Sequence, residues 1–494
     1  MMLDRNLKIL LVSAEVVPFA KTGGLADVAG SLPKALTAMG NDTRIVLPRY
    51  RGIDDFSTVT DFSVPMGDRM ETCIIRESHI EAKLPEGGIK KVPVYFIDNY
   101  HYYDREGLYC HYDEAERFAF FSKAVLEMLK KIDFKPDIIH CNDWQSGPIP
   151  FLLKEKFKDD PFYSKTATVF TVHNLLYQGT FPRESLKLLG VGAEYFQMDG
   201  LEFFGQVSFM KAGLLYADII NTVSKRYAQE IQTPELGLGY EGLLRQRAQD
   251  LHGIVNGINY HEFNPATDPR IFHTFGPESL ADKYENKYSL QKEMDLPVRD
   301  VPVIGLISRL VDQKGLDLIA EVFDRLMEED LQFIVLGSGD KYYEELLAGM
   351  RKRYPHKMGL YLGFNGILAQ RIYAGSDMFL MPSKFEPCGL GQLISLRYGT
   401  VPIVRATGGL ADTVVDYNRE TGSGNGFSFE PYEAGVMLDT VKRALQLYTE
   451  HPEQWRKLVV HDLGQDFSWN RSAAEYLELY DMALGKHMNM YQIA

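Results

Sequence analysis

The sequence predicts an α/β protein built from two doubly wound domains, each around a largely parallel sheet. Three observations carry that expectation. The chain has 494 residues, and single hydrophobic cores stop growing near ~250–300 residues, so it is expected to divide. Short apolar runs rich in β-branched and aromatic residues alternate with longer helical patterns, as parallel strands alternate with crossover helices. This alternation runs through the first half of the chain and begins again in the second.

In the first half the strand runs are KILLVS at 8–13, TRIVLP at 43–48, VPVYFI at 92–97, DIIHC at 137–141 and TVFTVH at 168–173. The apolar stretch from Leu7 to Val17 contains Lys8 and Glu15 and is followed by no small-residue cleavage site, so it reads as a buried first strand and not as an export signal. In the second half the runs are VPVIGLIS at 301–308, LQFIVLGSG at 331–339, DMFLMPS at 377–383 and VPIVR at 401–405. Between the halves, residues 256–270 are rich in Asn, Pro, Asp and Gly and form the linker candidate. The expected division is therefore residues 1–256 and residues 257–467, with a helical C-terminal segment, 468–494, returning to the first domain.

Composition narrows the function. Hydrophobic residues make up 45% and charged residues 24%, as in ordinary globular proteins. A formal net charge of −14 argues against a broad nucleic-acid or anionic-membrane surface, because those need clustered cations to displace counterions. A small anion in a locally basic site remains compatible with it. No run approaches the ~18 uninterrupted apolar residues of a membrane span. Cys73, Cys110, Cys141 and Cys388 are scattered without metal or disulfide spacing, so a soluble protein of the reducing cytoplasm is expected.

Several segments can carry chemistry. Ser308-Arg309-Leu-Val-Asp-Gln-Lys314-Gly lies between a buried strand and an amphipathic helix, which puts two cations beside a helix N-terminus. Orphan N–H groups and the helix dipole favour phosphate there; Arg309 offers a fork and Lys314 a point charge. A solvated loop with ordinary surface charges fits the same residues equally well. Ser383-Lys-Phe-Glu386-Pro-Cys388-Gly389-Leu390-Gly391 follows another buried strand, so Glu386 can accept hydrogen bonds from sugar hydroxyls while Gly389 and Gly391 bring backbone N–H groups close. As a bare spacing, an exposed turn glutamate is the commoner case.

His173 and Asn174 end the strand at 168–173, and His140 and Asp143 end the strand before it. Each histidine is either a structural residue or a neutral hydrogen-bonding partner for a ligand. Trp144 is either a sugar-stacking face or a core residue. The segment Thr22-Gly23-Gly24-Leu-Ala-Asp27 recurs as Thr407-Gly-Gly-Leu-Ala-Asp412, and both copies read as glycine turns opening a helix. The chain has no P-loop and no Asp-x-Asp, and after the strand ending Gly337-Ser-Gly339 position 342 is Tyr, so the G-x-G-x-x-G dinucleotide fingerprint fails there. Kinase and dehydrogenase readings lose support, and Arg309 with Lys314 would then stand where a metal clamp usually acts.

Taken together, Lys21-Thr-Gly-Gly-Leu-Ala-Asp-Val28, His173-Asn-Leu175, Ser308-Arg309 with Gln313-Lys314-Gly-Leu-Asp317, Phe385-Glu-Pro-Cys-Gly389 and Thr407-Gly-Gly-Leu-Ala-Asp-Thr413 resemble the bacterial glycogen synthase and plant starch synthase family. The motifs fall in family order across nearly the whole chain. The resemblance implies the glycosyltransferase-B fold of two Rossmann-like domains with the active site between them. It further implies retention of configuration, ADP-glucose as donor, an α-1,4-glucan acceptor, and neither metal nor other cofactor.

By the same resemblance Lys21, Gly23 and Gly24, within the segment ending at Asp27, form the donor loop of the first domain. Arg309 and Lys314 match the phosphate-binding pair, Glu386 the carboxylate on glucose hydroxyls, and His173 the residue near the sugar 6-hydroxyl. Asp143 and Asn256 match positions lining the glucose site. Phe364 stands where the family often has a tyrosine against adenine. Other departures are Gly391 for a common threonine, Asn142 for a common histidine, and Ile394 for a second glutamate found in the wider superfamily. The rivals are a glycosyltransferase of the same scaffold with a small acceptor, a phosphorylase carrying pyridoxal phosphate, and a glucan-binding or regulatory protein without catalysis; loss of Lys21, Arg309, Lys314 or Glu386 would mark the last, and all four are present.

Overall fold

A computed structural model describes residues 6–493, which form two compact units. The first comprises residues up to Asn256 together with the segment from Trp469, and the second spans Gly257–Ser468. No helix among the described residues is long and apolar enough to cross a membrane.

The first unit is organised by a nine-stranded sheet. In chain order its strands are β1 (Lys8–Val12), β2 (Asp42–Pro48), β3 (Ser57–Met66), β4 (Arg69–Lys83), β5 (Ile89–Asp98), β6 (Ile138–Asn142) and β7 (Ala167–Val172). A small antiparallel sheet of β8 (Thr180–Phe181), β9 (Glu202–Phe203) and β10 (Gln206–Ser208) follows, and β11 (Ile219–Thr222) and β12 (Leu251–Gly253) rejoin the large sheet. The large sheet runs β12-β11-β7-β6-β1-β2-β5-β4-β3. Strands β12 to β5 are parallel, and β4 and β3 add to β5 as an antiparallel extension.

That extension is absent from the strand runs read from sequence, for a physical reason. Parallel strands covered on both faces read as unbroken apolar runs, and Ile9, Leu10, Leu11 and Val12 of β1 are all fully buried. Strand β3 instead alternates exposed and half-buried positions, with only Val64 and Met66 buried. Its signal is a period of two and the Gly67 turn, where φ is +61°.

The helix Trp469–Ile493 completes the first unit. Tyr480 and Tyr476 are fully buried; the Tyr480 hydroxyl lies 2.8 Å from His140 Nδ1, and Asn221 Nδ2 donates to the Tyr476 hydroxyl at 3.1 Å. His140 Nε2 meets Thr171 Oγ1 at 2.7 Å, so His140 is a satisfied core residue. Burial pushes its pKa down to about 3, which keeps the ring neutral.

The second unit has six parallel strands: β13 (Val303–Leu310), β14 (Gln332–Gly339), β15 (Met358–Leu362), β16 (Met378–Met381), β17 (Val401–Arg405) and β18 (Phe427–Phe429), ordered β15-β14-β13-β16-β17-β18. The helix Leu316–Leu326 after β13 buries Leu316, Ile319, Val322, Phe323 and Leu326, a stripe at helical spacing against the sheet. The compositional linker candidate contains the division between the units at 256–257, and its later part is anchored in the second unit: Asp268 is buried and accepts from Arg270 Nε at 2.7 Å and from the Tyr398 hydroxyl at 2.5 Å.

Candidate functional site in each unit

In each unit the chemistry-bearing residues follow the carboxyl ends of parallel strands, where open α/β sheets present loops to ligands. In the first unit the group is built on the ends of β1, β6 and β7.

After β1 the chain reaches Glu15, which is buried although it carries a charge. Its carboxylate accepts from Thr22 N at 2.5 Å, Thr22 Oγ1 at 2.6 Å, Gly23 N at 3.1 Å and the Tyr109 hydroxyl at 2.8 Å. Glu15 therefore holds the Lys21–Gly24 loop from beneath, a role that the sequence reading missed because a glutamate inside an apolar run reads as an interruption. The only sequence signal was the cost of such a charge, which must be matched by donors when buried. Lys21 projects outward, 52% exposed, and pairs with Asp27 at 2.7 Å. Gly24 is the first residue of the helix Gly24–Ala38, whose opening N–H groups are orphan donors. A Cβ built on Gly23 or Gly24 meets nothing within 4 Å, so packing inside the protein does not demand either glycine.

After β6 comes Asp143 at φ +55° and ψ 178°, a backbone region that is almost exclusive to glycine. The strained turn aims its carboxylate across to β7, where Oδ1 accepts from His173 N at 2.7 Å. Burial pushes the Asp143 pKa up to about 7; bonds to the His173 and Asn174 amides oppose this, and the nearby Glu15 charge adds to it.

His173, half-buried, places Nε2 at 2.8 Å from Asn142 Oδ1, and burial lowers its pKa to about 3. Asn174 Oδ1 accepts from Leu176 N at 3.0 Å and so shapes the turn. Asn256 is buried, and its Oδ1 has no hydrogen-bond partner among the described residues. Trp144 is the core alternative of the two readings: it is buried and packs edge-on against Phe118.

In the second unit the group joins two loops. Gly315, at φ +72°, lies so close to the 382–386 loop that a Cβ there would sit 2.0 Å from the Pro382 carbonyl oxygen. Gln313 Nε2 donates to the Phe385 carbonyl at 3.0 Å and Lys384 N donates to the Gln313 carbonyl at 2.9 Å. This clamp brings Lys314 Nζ to 2.6 Å from Glu386 Oε2, which also accepts from Ser383 Oγ at 3.0 Å. Glu386 is buried. Arg309 sits exposed near the end of β13, and its guanidinium forms no hydrogen bond or ion pair among the described residues.

The second glycine turn differs from the first. A Cβ on Gly408 would sit 1.9 Å from the Glu386 carbonyl oxygen, and one on Gly409 would sit 2.0 Å from that of Cys388. Those glycines let the helix Gly408–Thr413 wedge beneath the Glu386–Cys388 backbone, so the repeat has a packing role here and an open loop in the first unit. Cys388 is buried and forms no disulfide. Gly389 has φ +74°, and half-buried Leu390 leads into Gly391, the first residue of the helix Gly391–Arg397. A Cβ on Gly391 would touch Phe379 at 3.0 Å and Met381 Sδ at 3.2 Å, so any larger residue there would have to displace them. Phe364, beyond β15, is 92% exposed.

The structure thus gathers Asp143, His173 and the Lys21–Asp27 loop around Glu15 and Asn142 in one unit, and Lys314, Glu386 and the 388–391 turn in the other. No hydrogen bond ties Phe364, Arg309 or the Asn256 side-chain oxygen into these groups. Among the described residues there is no cluster of three or more His, Cys, Asp or Glu suited to a metal.

Comparison with known proteins gives a consistent result. A family described as "Starch synthase catalytic domain" matches residues 8–246, and one described as "Glycosyl transferases group 1" matches residues 291–458. The chain is 60% identical over 491 residues to a glycogen synthase of Desulforudis audaxviator, covering 98% of each chain, and 57% identical over 484 residues to that of Moorella thermoacetica, again with 98% of each covered. Among solved structures it resembles the catalytic domain of starch synthase IV from Arabidopsis thaliana bound to ADP and acarbose, with a TM-score of 0.89, 34% identity, and 97% of this chain and 100% of that chain covered. A sucrose-phosphate synthase of Thermosynechococcus elongatus matches with a TM-score of 0.60 at 18% identity over 97% of this chain and 99% of that one, a likeness of fold alone.

Proposed function

Because the chain belongs to the glycogen and starch synthase family of glycosyltransferases, we propose that it transfers glucose from ADP-glucose to the 4-hydroxyl at the non-reducing end of an α-1,4-glucan, with retention of configuration and release of ADP. The observation that carries this reading is the Lys314–Glu386 pair. One clamped loop system holds a cation and a buried carboxylate 2.6 Å apart, as recognition of a sugar joined to a diphosphate requires. Glu386 accepts hydrogen bonds from glucose hydroxyls, while Lys314 and the exposed Arg309 face the diphosphate.

In the transfer step the bond from C1 of glucose to the diphosphate oxygen breaks as the bond from the acceptor oxygen to C1 forms on the same face. The acceptor proton passes to the departing phosphate oxygen. The two cations stabilise charge that grows on the leaving group, and such preorganised electrostatics are worth ~10²–10³ in rate per interaction. In the other unit Lys21 and the Gly24 N–H add donors for phosphate. The Thr22 and Gly23 amides are committed to Glu15, so the loop offers fewer backbone donors than its glycines suggest. Asp143, His173, Asn174 and Asn256 are assigned to glucose hydroxyls, and Phe364 to the base. The reading also places the protein in the cytoplasm.

The test is transfer of labelled glucose from ADP-glucose and from UDP-glucose to glycogen, in the presence of a chelator. Parent chain, Lys314→Ala and Glu386→Ala are compared after their folding has been verified by circular dichroism. Elongation that is faster with ADP-glucose and falls by ~10²-fold or more in each variant is expected. A parent chain that binds glycogen but elongates it with neither donor would sink the proposal in favour of a glucan-binding protein.

A further inference from the structure

Asn142 ends β6 beside His173, and its surroundings restrict how it can be oriented. Its Nδ2 lies 3.1 Å from the Val12 carbonyl oxygen and 3.3 Å from the His140 carbonyl oxygen, both acceptors. Turning the carboxamide over would press Oδ1 against two carbonyl oxygens and leave Nδ2 facing His173. The donor side of Asn142 is therefore fixed toward β1 and β6, and Oδ1 is fixed toward His173 Nε2 at 2.8 Å. A carboxamide oxygen can only accept, so Nε2 must carry the proton.

From this geometry we infer that Asn142 is a positioning residue that locks His173 in its Nε2–H tautomer, leaving Nδ1 as a hydrogen-bond acceptor for a substrate hydroxyl. The inference deepens the proposed function, since it rests on His173 facing the donor sugar. The ring is neutral, because burial holds its pKa at about 3, so Nδ1 keeps its lone pair at physiological pH. Nδ1 makes no hydrogen bond among the described residues, and the backbone beneath the ring is pinned by the bond from His173 N to Asp143. A lone pair repels an anion and attracts an O–H group. His173 thus selects a sugar hydroxyl in a site that must also admit a diphosphate, and it is kept from becoming a second phosphate ligand. A histidine at position 142 has two tautomers of its own and would fix His173 less strictly.

The experiment has a spectroscopic arm and a kinetic arm, both on the full chain. In ¹⁵N-imidazole spectra, with the His173 signals assigned by difference from His173→Gln, the parent is expected to show a protonated Nε2 and an unprotonated Nδ1. A protonated Nδ1 overturns the inference whatever the activity. Asn142→Leu removes the acceptor, and kcat/KM with ADP-glucose is expected to fall about 10- to 100-fold. That penalty should vanish for the one deoxyglucose donor that lacks the hydroxyl received by Nδ1; an equal penalty with every deoxy donor overturns the positioning role.

Asn142→Asp keeps an acceptor but adds charge beside the ring. The other titratable groups facing it are Asp143 through the backbone and His140 below, with Glu15 beyond Asp143. A carboxylate neighbour raises the imidazole pKa, protonation turns Nδ1 into a donor, and activity should gain an acid limb beyond the one that Asp143 gives the parent. An unchanged pH profile overturns the inference. If the parent shows the Nε2–H tautomer but transfers no glucose from ADP-glucose, the proposed function fails while the tautomer assignment stands.

Discussion

Asp143 and His173 titrate away from their ordinary values in opposite directions, and the signs can be followed separately. Asp143 is raised to about 7 in the folded chain, so between pH ~4 and 7 the unfolded chain has lost a proton that the folded one retains. Its contribution to stability is present below pH ~4 and is lost as pH rises through 7. His173 is lowered to about 3, so its contribution is present above pH ~6.5 and is lost as pH falls toward 3. Replacing Asp143 with Asn deletes only the first trend. The melting temperature of Asp143→Asn relative to the parent should therefore climb steadily from pH 4 to 7 and level off above it; a pH-independent difference would contradict the assignment. At this scale the sequence was partly legible. Position at a strand end marked His173 and Asp143, and a neutral imidazole was one of two readings, but nothing in the sequence announced the positive φ of Asp143 or the hold of Glu15 on the Thr22–Gly23 loop.

At the scale of elements, the two glycine turns make contrasting predictions. Gly409 has a carbonyl oxygen 2.0 Å from where a Cβ would stand, and backbone cannot yield as a flexible side chain can. Gly409→Ala is expected to destabilise the second unit by about 1–3 kcal/mol and to misplace Glu386. Gly23 lies at φ −149° with open space about it, so Gly23→Ala should leave unfolding within about 0.5 kcal/mol of the parent and act on donor affinity instead. Denaturant titration of both variants, alongside donor binding, separates the two cases. The sequence shows the repeat but not this difference, because identical hexapeptides meet different neighbours. The same limit explains β3 and β4. Scanning for unbroken apolar runs finds strands buried on both faces, and it passes over a half-exposed antiparallel pair whose signal is alternation.

For the whole molecule, the doubly wound α/β class was legible because both sheets are dominated by strands such as β1 and β13, whose apolar runs leave little else for them to be. The packing of the last helix was not, since periodicity tells a helix which face to bury but not against what. Tyr480 and Tyr476 carry that information in three dimensions. Tyr480→Ala leaves a cavity beside His140 and removes its Nδ1 partner, so a loss of about 3–5 kcal/mol is expected in the first unit. Hydrogen exchange should quicken in β6, β7 and β11 and stay unchanged in β13 to β17; equal loosening in both units would refute the assignment of this helix to the first unit.

The discontinuity of the first unit also bears on the order in which the chain is made. Residues 6–256 emerge first during synthesis, yet the seat for Tyr476 and Tyr480 stays unfilled until residues 469–493 have followed, after the whole second unit has been translated. The first unit must therefore wait, with His140 and Asn221 uncovered, while the second is already complete. A chain cut after residue 468 would keep every residue of the second unit and leave the first without its last helix.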